Sequence, residues 1–162
     1  MSSQDGKERK RAKKKYDEGF ELRLESKYAE ALAAYKEALS IYRSLDDAFG
    51  QSSCLKDIGA VLRELGRYEE AVEAYRQSLE LYRQVGRTSR EQANCLYNIG
   101  GTLRRAGRPE EALSAYRQAL EAYRQVEGTE KDQADCLGGI GRALDALKRH
   151  EEALSAYRQA LE

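Results

Sequence analysis

The chain has 162 residues, enough for one compact domain or a short array of repeats. Charged residues make up 35% and apolar residues 41%, which is too apolar for a disordered chain, and no apolar run is long enough to cross a membrane. The amino terminus lacks the apolar core of a secretory signal peptide, so the expected location is the cytoplasm and no membrane partner is expected.

A basic segment opens the chain. Residues 1–15 contain seven basic and two acidic side chains, a net charge of 7 − 2 = +5, although the whole chain is neutral. We predict residues 1–11 to be a basic N-terminal segment or the start of a capping helix, with its charges in water. The alternative is contact with nucleic acid or an acidic membrane surface. Nucleic-acid binding ranks last because no aromatic stacking platform accompanies the basic run.

The rest of the chain repeats one pattern four times. The twelve letters EEALSAYRQALE of residues 110–121 recur at residues 151–162, which is 41 positions later. Three further series of identical residues have spacings of 40 or 41 residues: Gly19, Gly59, Gly100, Gly141; Tyr35, Tyr75, Tyr116, Tyr157; Cys54, Cys95, Cys136. Such a fixed period is the signature of a repeat architecture. We predict four repeats, over residues 12–45, 52–85, 93–126 and 134–162.

Each copy divides into two helices. In the third copy, Leu96, Ile99 and Leu103 recur at the spacing of one helix face. Residues 107–109 (Gly-Arg-Pro) break this pattern, since glycine ends helices and proline begins them. A second apolar stripe then follows over residues 110–126. No strand-like alternation appears in the sequence, so the predicted fold is all-α.

These residues resemble the tetratricopeptide repeat family. Its first helix carries Leu-Gly and a second large apolar residue, matched here by Ile99, Gly100 and Leu103, and its second helix carries the Ala, aromatic, Ala pattern of residues 112, 116 and 119. The resemblance implies a right-handed superhelical α-solenoid of stacked antiparallel helix hairpins. The period of 40 or 41 exceeds the usual 34 or so, and the closing proline is missing. Both features resemble the long-helix variant of kinesin light chains and spindle-orientation adaptors, which bind extended peptides.

The sequence offers no catalytic constellation. The three cysteines are spaced one per repeat, too far apart for a zinc site or a disulfide, so each is predicted to be a small core residue. His150 is the single histidine and falls in a turn, without a nucleophile beside it. The glycines of residues 138–141 lie on a helix and not in a phosphate loop. We therefore predict no enzyme, no catalytic residue, no cofactor and no metal.

The resemblance also implies a concave groove lined by the first helices. The groove residues that it assigns in this sequence are Tyr16, Phe20, Arg23, Lys56, Asp57, Arg63, Asn94, Tyr97, Asn98, Arg104 and Arg142. Arginine and tyrosine are favoured interface anchors, and the alternative is that these are merely solvated helix residues. Ala60, Asp135 and Gly139 depart from the carboxylate clamp of chaperone-binding relatives. The expected ligand is an extended protein or peptide segment, acidic or of mixed charge.

The last repeat ends at Glu162, inside its second helix, without a polar capping helix. Leu154, Tyr157 and Leu161 would then keep an apolar face without a neighbour. We therefore expect the chain to be a fragment of a longer array or to self-associate through this end. The leading functional hypothesis is a protein-binding scaffold or adaptor. The alternative is a structural array that forms homo-oligomers through its C-terminal helix.

Overall fold

The computed structural model describes residues 3–86 and 89–161, and these residues form eight α-helices and no β-strand. Contacts between Cα atoms divide the chain into two compact units, Met1–Gly86 and Arg87–Glu162. The all-α class predicted from the sequence is confirmed. Parts of two predictions lie outside the described residues, namely Met1 and Ser2 of the basic segment and Glu162 of the fourth repeat.

The first unit contains four helices, each packed against the next one in the chain. They are α1 (Ser3–Leu24), α2 (Tyr28–Ser44), α3 (Ala48–Glu64) and α4 (Tyr68–Gln84). Connections of three residues join them, and such short links favour antiparallel neighbours. The unit therefore consists of the hairpins α1–α2 and α3–α4.

The second unit repeats this arrangement, again with each helix packed against the next. Its helices are α5 (Ser89–Arg105), α6 (Pro109–Arg124), α7 (Glu130–Ala146) and α8 (His150–Gln159). Helix α3 begins four residues before the predicted repeat boundary at 52, and α5 and α7 likewise precede the boundaries at 93 and 134 by four residues. The first helices of these hairpins thus begin about one helical turn before the predicted repeats do.

The turn inside each hairpin is closed in the same way. In the second hairpin, the backbone N–H of Arg67 donates to the carbonyl of Leu62 (2.9 Å), and Gly66 adopts a φ of +74°. This bond across a left-handed residue is the Schellman motif, which satisfies the last carbonyls of a helix. Equivalent bonds of 2.9 Å close the other hairpins: Lys27 to Leu22, Arg108 to Leu103, and Arg149 to Leu144.

The left-handed position of this turn is glycine in two hairpins, but it is Lys148 in the fourth, with a φ of +60°. We expect Lys148→Gly to stabilise the chain by roughly 0.5–1 kcal/mol, because glycine adopts this conformation without a Cβ clash but loses more entropy on folding. Urea unfolding checks this, and the reverse change Gly107→Lys should cost a similar amount. No gain from Lys148→Gly would show that the lysine backbone is not strained.

Glycine and tyrosine set the distance between the helices of each hairpin. A Cβ built on Gly100 would lie 2.9 Å from the ring of Tyr116, closer than real Cβ contacts allow. The same pairing recurs in the other hairpins: Gly19 with Tyr35, Gly59 with Tyr75, and Gly141 with Tyr157. The repeating glycine and tyrosine are therefore one feature, because each ring fills the space that the missing side chain leaves. The three cysteines of the repeat are fully buried, as predicted for core residues.

Helix α1 includes the described part of the basic segment, and many of its charges are paired. Arg9 pairs with Asp47, Arg11 and Lys15 both contact Glu37 (3.2 Å each), and Lys13 contacts Asp17 (2.6 Å). Lys7, Lys10 and Lys14 have no ion pair within residues 3–86. Most of the basic segment thus contributes to the surface network of its own hairpin and of α3.

Candidate functional site

The sequence-assigned groove residues of the first unit lie on α1 and α3, and we call them its first-helix face: Tyr16, Phe20, Arg23, Lys56, Asp57 and Arg63. The Tyr16 hydroxyl donates a hydrogen bond to the Asp57 carboxylate and so joins α1 to α3. Asp57 is only 8% exposed. Burial, and then the charge of Asp57, raise the pKa of Tyr16 far above its usual value. The phenol therefore remains a donor, and these two groups satisfy each other within the fold.

Arg23 lies at the end of α1, against two aromatic rings. Its guanidinium carbon is 5.2 Å from the centroid of the Phe20 ring, a cation–π distance. Burial and the charge of Asp57 raise the pKa of Tyr35 to about 12, while the nearby Arg23 guanidinium opposes this rise. Both Arg23 Nε and the Tyr35 hydroxyl are buried without a hydrogen-bond partner of standard geometry. This end of the face thus holds buried donors without an acceptor.

The other two cations of the first unit's face differ in their partners. Arg63 contacts the carboxylate of Glu64 (3.2 Å). Lys56 is half-buried and has no ion pair within residues 3–86. The unmatched positive charge on this face therefore comes from Lys56 and Arg23.

A cleft of about 640 Å³ opens between the N-terminal halves of α1 and α3, beside Tyr16. Tyr42 and Phe49 contribute aromatic surface to it, and Phe49 is 45% exposed. Arg9 and Lys10 also line the cleft. Its volume falls in the range of about 300–1,000 Å³ that is common for ligand pockets. Asp17 and Asp47 line the cleft as well and pair with Lys13 and Arg9, so Lys10 is the lining cation without an ion pair within residues 3–86.

In the second unit the first-helix face comprises Asn94, Tyr97, Asn98 and Arg104 on α5 and Arg142 on α7. The Tyr97 ring packs on the Tyr116 ring with centroids 5.5 Å apart. Burial, then the neighbouring Tyr116 and Asp135, raise the pKa of Tyr97, whereas the charge of Arg142 opposes this rise. Tyr97 thus lies within range of the Arg142 charge.

Both asparagines of this face accept hydrogen bonds within the second unit. Asn94 accepts a hydrogen bond from the Tyr123 hydroxyl, which ties α5 to α6. Burial, and then the charge of Asp132, raise the pKa of Tyr123, so its hydroxyl stays protonated. Asn98 is half-buried, and its backbone carbonyl accepts from the Thr102 hydroxyl (2.7 Å). Asn94 is therefore engaged in holding its hairpin together.

Arg104 and Arg142 have no ion pair within residues 89–161, and Arg104 Nε is buried without an acceptor. Both guanidinium groups act on Tyr157, whose pKa is raised by burial and by its hydrogen bond to Asp145 and is lowered by these two charges. The Tyr157 hydroxyl donates to Asp145 (3.0 Å), and His150 Nδ1 is 3.1 Å from the same carboxylate. Asp145 is therefore occupied by other groups.

Other kinds of site find no support in residues 3–86 and 89–161. No three histidine, cysteine or acidic side chains there are grouped closely enough to hold a metal ion. Among the helices in this part of the chain, none combines the length and apolar character that a membrane span requires.

Sequence reasoning missed several residues that shape the site. Tyr35 and Tyr116 are buried in the core, and their rings also support Tyr16 and Tyr97 of the first-helix faces. Their regular 40- or 41-residue spacing was a signal of shared structure, but it gave no indication of polar contacts.

Comparisons with known proteins agree with this architecture. A family model described as Tetratricopeptide repeat matches residues 14–84 and 91–162. A search of curated protein sequences gave no match. Among solved structures, BtubC (BKLC) from P. vanneervenii is similar with a TM-score of 0.85 at 16% identity, over 92% of this chain and 61% of that one. A Rap protein complexed with Competence and Sporulation Factor has a TM-score of 0.75 at 22% identity, over 90% of this chain and 40% of that one.

The structural likenesses show the fold, an α-solenoid of helix hairpins, and this chain spans less than two thirds of either neighbour. The resemblance to the tetratricopeptide repeat family is confirmed. Tetratricopeptide repeats are generally non-catalytic modules for protein interaction, which makes the chain a protein-interaction repeat scaffold. Since the family model matches most of the sequence, the chain belongs to the tetratricopeptide repeat family.

Proposed function

We propose that the chain is a cytoplasmic scaffold or adaptor whose first-helix faces bind an extended segment of a partner protein, acidic or of mixed charge. The observation that carries this proposal is the pair of buried Nε donors on Arg23 and Arg104. These arginines occupy equivalent places in the two units, near the ends of α1 and α5. An unpaired buried donor costs about 1–3 kcal/mol. Because both Nε atoms are buried, each guanidinium would have to turn towards a ligand acceptor to remove that cost.

Two further features support an acidic segment. Lys56 and Arg142 add positive charge to the same faces, and neither has an ion pair within the described residues. The cleft beside Tyr16 is lined by the exposed Phe49 ring and by Lys10, so we expect it to accept an apolar side chain that has a carboxylate nearby. Charge of one sign along a binding face selects partners of the opposite sign and speeds their association.

The test uses a fluorescein-labelled decaglutamate with blocked ends and fluorescence anisotropy. We expect Arg23→Gln and Arg104→Gln each to weaken binding roughly tenfold, because a hydrogen bond between charged groups contributes about 1.5–3 kcal/mol. The matched controls are Arg76→Gln and Arg117→Gln, which remove exposed arginines from second helices. Equal losses in all four variants would mean that only net charge matters, and the proposed faces would then be wrong. Affinity capture with the same variants extends the test to native partners.

A further inference from the structure

The two units contain matching tyrosine pairs on their first-helix faces. In the first unit the Tyr16 and Tyr35 rings lie 5.4 Å apart at an interplanar angle of 60°. In the second unit the Tyr97 and Tyr116 rings lie 5.5 Å apart, also at 60°. Each pair joins the first and second helix of one hairpin. The same pair of tyrosines thus occurs in both units, and we call each pair an aromatic platform. The groups around the two platforms can be compared directly.

The two platforms differ in the hydrogen-bond partner of the first-helix tyrosine, which is Tyr16 in the first unit and Tyr97 in the second. In the first unit, Asp57 of α3 supplies a carboxylate that accepts the hydrogen bond from Tyr16. The equivalent residue of α7 is Gly139, and a Cβ there would lie 2.6 Å from the ring of Tyr116. No side chain fits at this place without displacing that ring. Within residues 89–161, the Tyr97 hydroxyl accordingly has no hydrogen-bond partner.

This part of α7 carries a cation, Arg142, and no carboxylate at the position equivalent to Asp57. The Arg142 side chain folds back along α7, since a Cβ on Gly138 would lie 3.5 Å from its Nη1 atom. In the first unit the equivalent residue is Ala60, which carries no charge. Arg142 has no ion pair within the described part of the second unit. Within the described part of the second unit, the Tyr97 hydroxyl and the Arg142 guanidinium thus have no partner, and the neighbouring residues of α7 are the glycines 138 and 139.

We propose that the Tyr97 hydroxyl and the Arg142 guanidinium bind a carboxylate of the partner segment, at the place that Asp57 occupies in the first unit. The inference rests on the proposed function, and it assigns the acidic position of the segment to the second unit. A guanidinium binds carboxylates through two donors, and the tyrosine hydroxyl adds a third. The first unit needs no ligand carboxylate at this place because the chain supplies its own.

The acidic groups nearby leave this site open. Asp135 is exposed on α7, and its charge raises the pKa of Tyr97, but no hydrogen bond joins the two residues. Asp145 accepts from Tyr157 and contacts His150. An incoming carboxylate would meet some repulsion from Asp135, so Asp135→Asn should strengthen binding of an acidic ligand.

The test compares Tyr97→Phe, Arg142→Gln and the double variant, with the blocked decaglutamate as probe. We expect each single change to weaken binding roughly tenfold, as for the loss of a hydrogen bond to a charged group. The double variant should lose less than the product of the single losses, because both groups hold one carboxylate. Tyr28→Phe and Arg117→Gln are the matched controls. Because the Tyr97 hydroxyl has no hydrogen-bond partner within residues 89–161, Tyr97→Phe should leave the urea midpoint unchanged.

Two further probes identify the source of the carboxylate. One is decaglutamine with a free C-terminal carboxylate, and the other is decaglutamine with both ends blocked. If only the free-ended peptide depends on Tyr97 and Arg142, the site is confirmed with a chain terminus as its ligand. If blocked decaglutamate binds the wild type and all variants equally, and the free-ended decaglutamine also shows no dependence on Tyr97 and Arg142, this inference is overturned while the proposed function stands. If that probe does not bind the wild type, the proposed function fails as well.

Discussion

The free energy of unfolding is expected to fall by several kcal/mol between pH 9 and about pH 12. Burial raises the pKa of the Cys54 and Cys136 thiols from 9.0 to about 12, and that of Tyr35 from 10.0 to about 12. Both cysteines and this tyrosine are fully buried in the structure. Each unit of pKa difference between the folded and unfolded chain corresponds to about 1.4 kcal/mol, so these groups together outweigh any single substitution considered above.

The sign of this change in stability follows from whether the folded or the unfolded chain binds its protons more tightly. In the folded chain these groups stay neutral to a higher pH than in the unfolded chain. Their stabilising contribution is complete below pH 9, the ordinary pKa of the thiols, and is lost as the pH rises towards the folded values near 12. Urea midpoints at pH 7, 9, 10 and 11 should therefore decline progressively from pH 9 upward.

A double variant, Cys54→Ala with Cys136→Ala, separates the thiols from the tyrosines and lysines that also titrate in this range. It should be less stable than the wild type at pH 7 because packing is lost, but its decline should begin about one pH unit later and be shallower. Parallel curves for the two chains would show that the buried thiols make no contribution to the alkaline loss.

The sequence predicted the helices and their packing well because a repeat reports the same structure several times. Gly100 and Tyr116 recur in every copy, and the structure shows that one fills the space left by the other. The buried cysteines follow the same logic. A core position has to satisfy the same neighbours in each hairpin, so regular spacing was enough to locate it.

The polar contacts of the site could not be predicted in this way. The repeat position of Asp57 is also aspartate in the first repeat (Asp17), but it is Asn98 in the third and Gly139 in the fourth, so periodicity says nothing about partners. Whether Asp57 is free depends on Tyr16, which lies on another helix 41 residues away. The Asn94 side chain is likewise taken up by Tyr123. Such pairings depend on distances between helices, which a one-dimensional pattern does not contain.

The structure makes a second strong prediction for two adjacent glycines of α7. Gly139→Ala should destabilise the chain by about 1–2 kcal/mol, although alanine favours helices by about 1 kcal/mol over glycine. The Tyr116 ring is 2% exposed and lies between two glycines, with hypothetical Cβ contacts of 2.6 Å at Gly139 and 2.9 Å at Gly100. The ring therefore cannot move away on either side, and overpacking of this kind costs about 1–3 kcal/mol.

Gly138→Ala is the matched control one residue earlier. Its Cβ would meet only the flexible end of Arg142, at 3.5 Å, so the helix propensity of alanine should appear as a gain of about 0.5–1 kcal/mol. Urea unfolding of the two variants should then place them on opposite sides of the wild type. If Gly139→Ala proves as stable as Gly138→Ala, the ring has room to shift. A side chain at position 139 would then be tolerated. Steric exclusion would no longer explain why the second unit lacks the carboxylate that Asp57 supplies in the first.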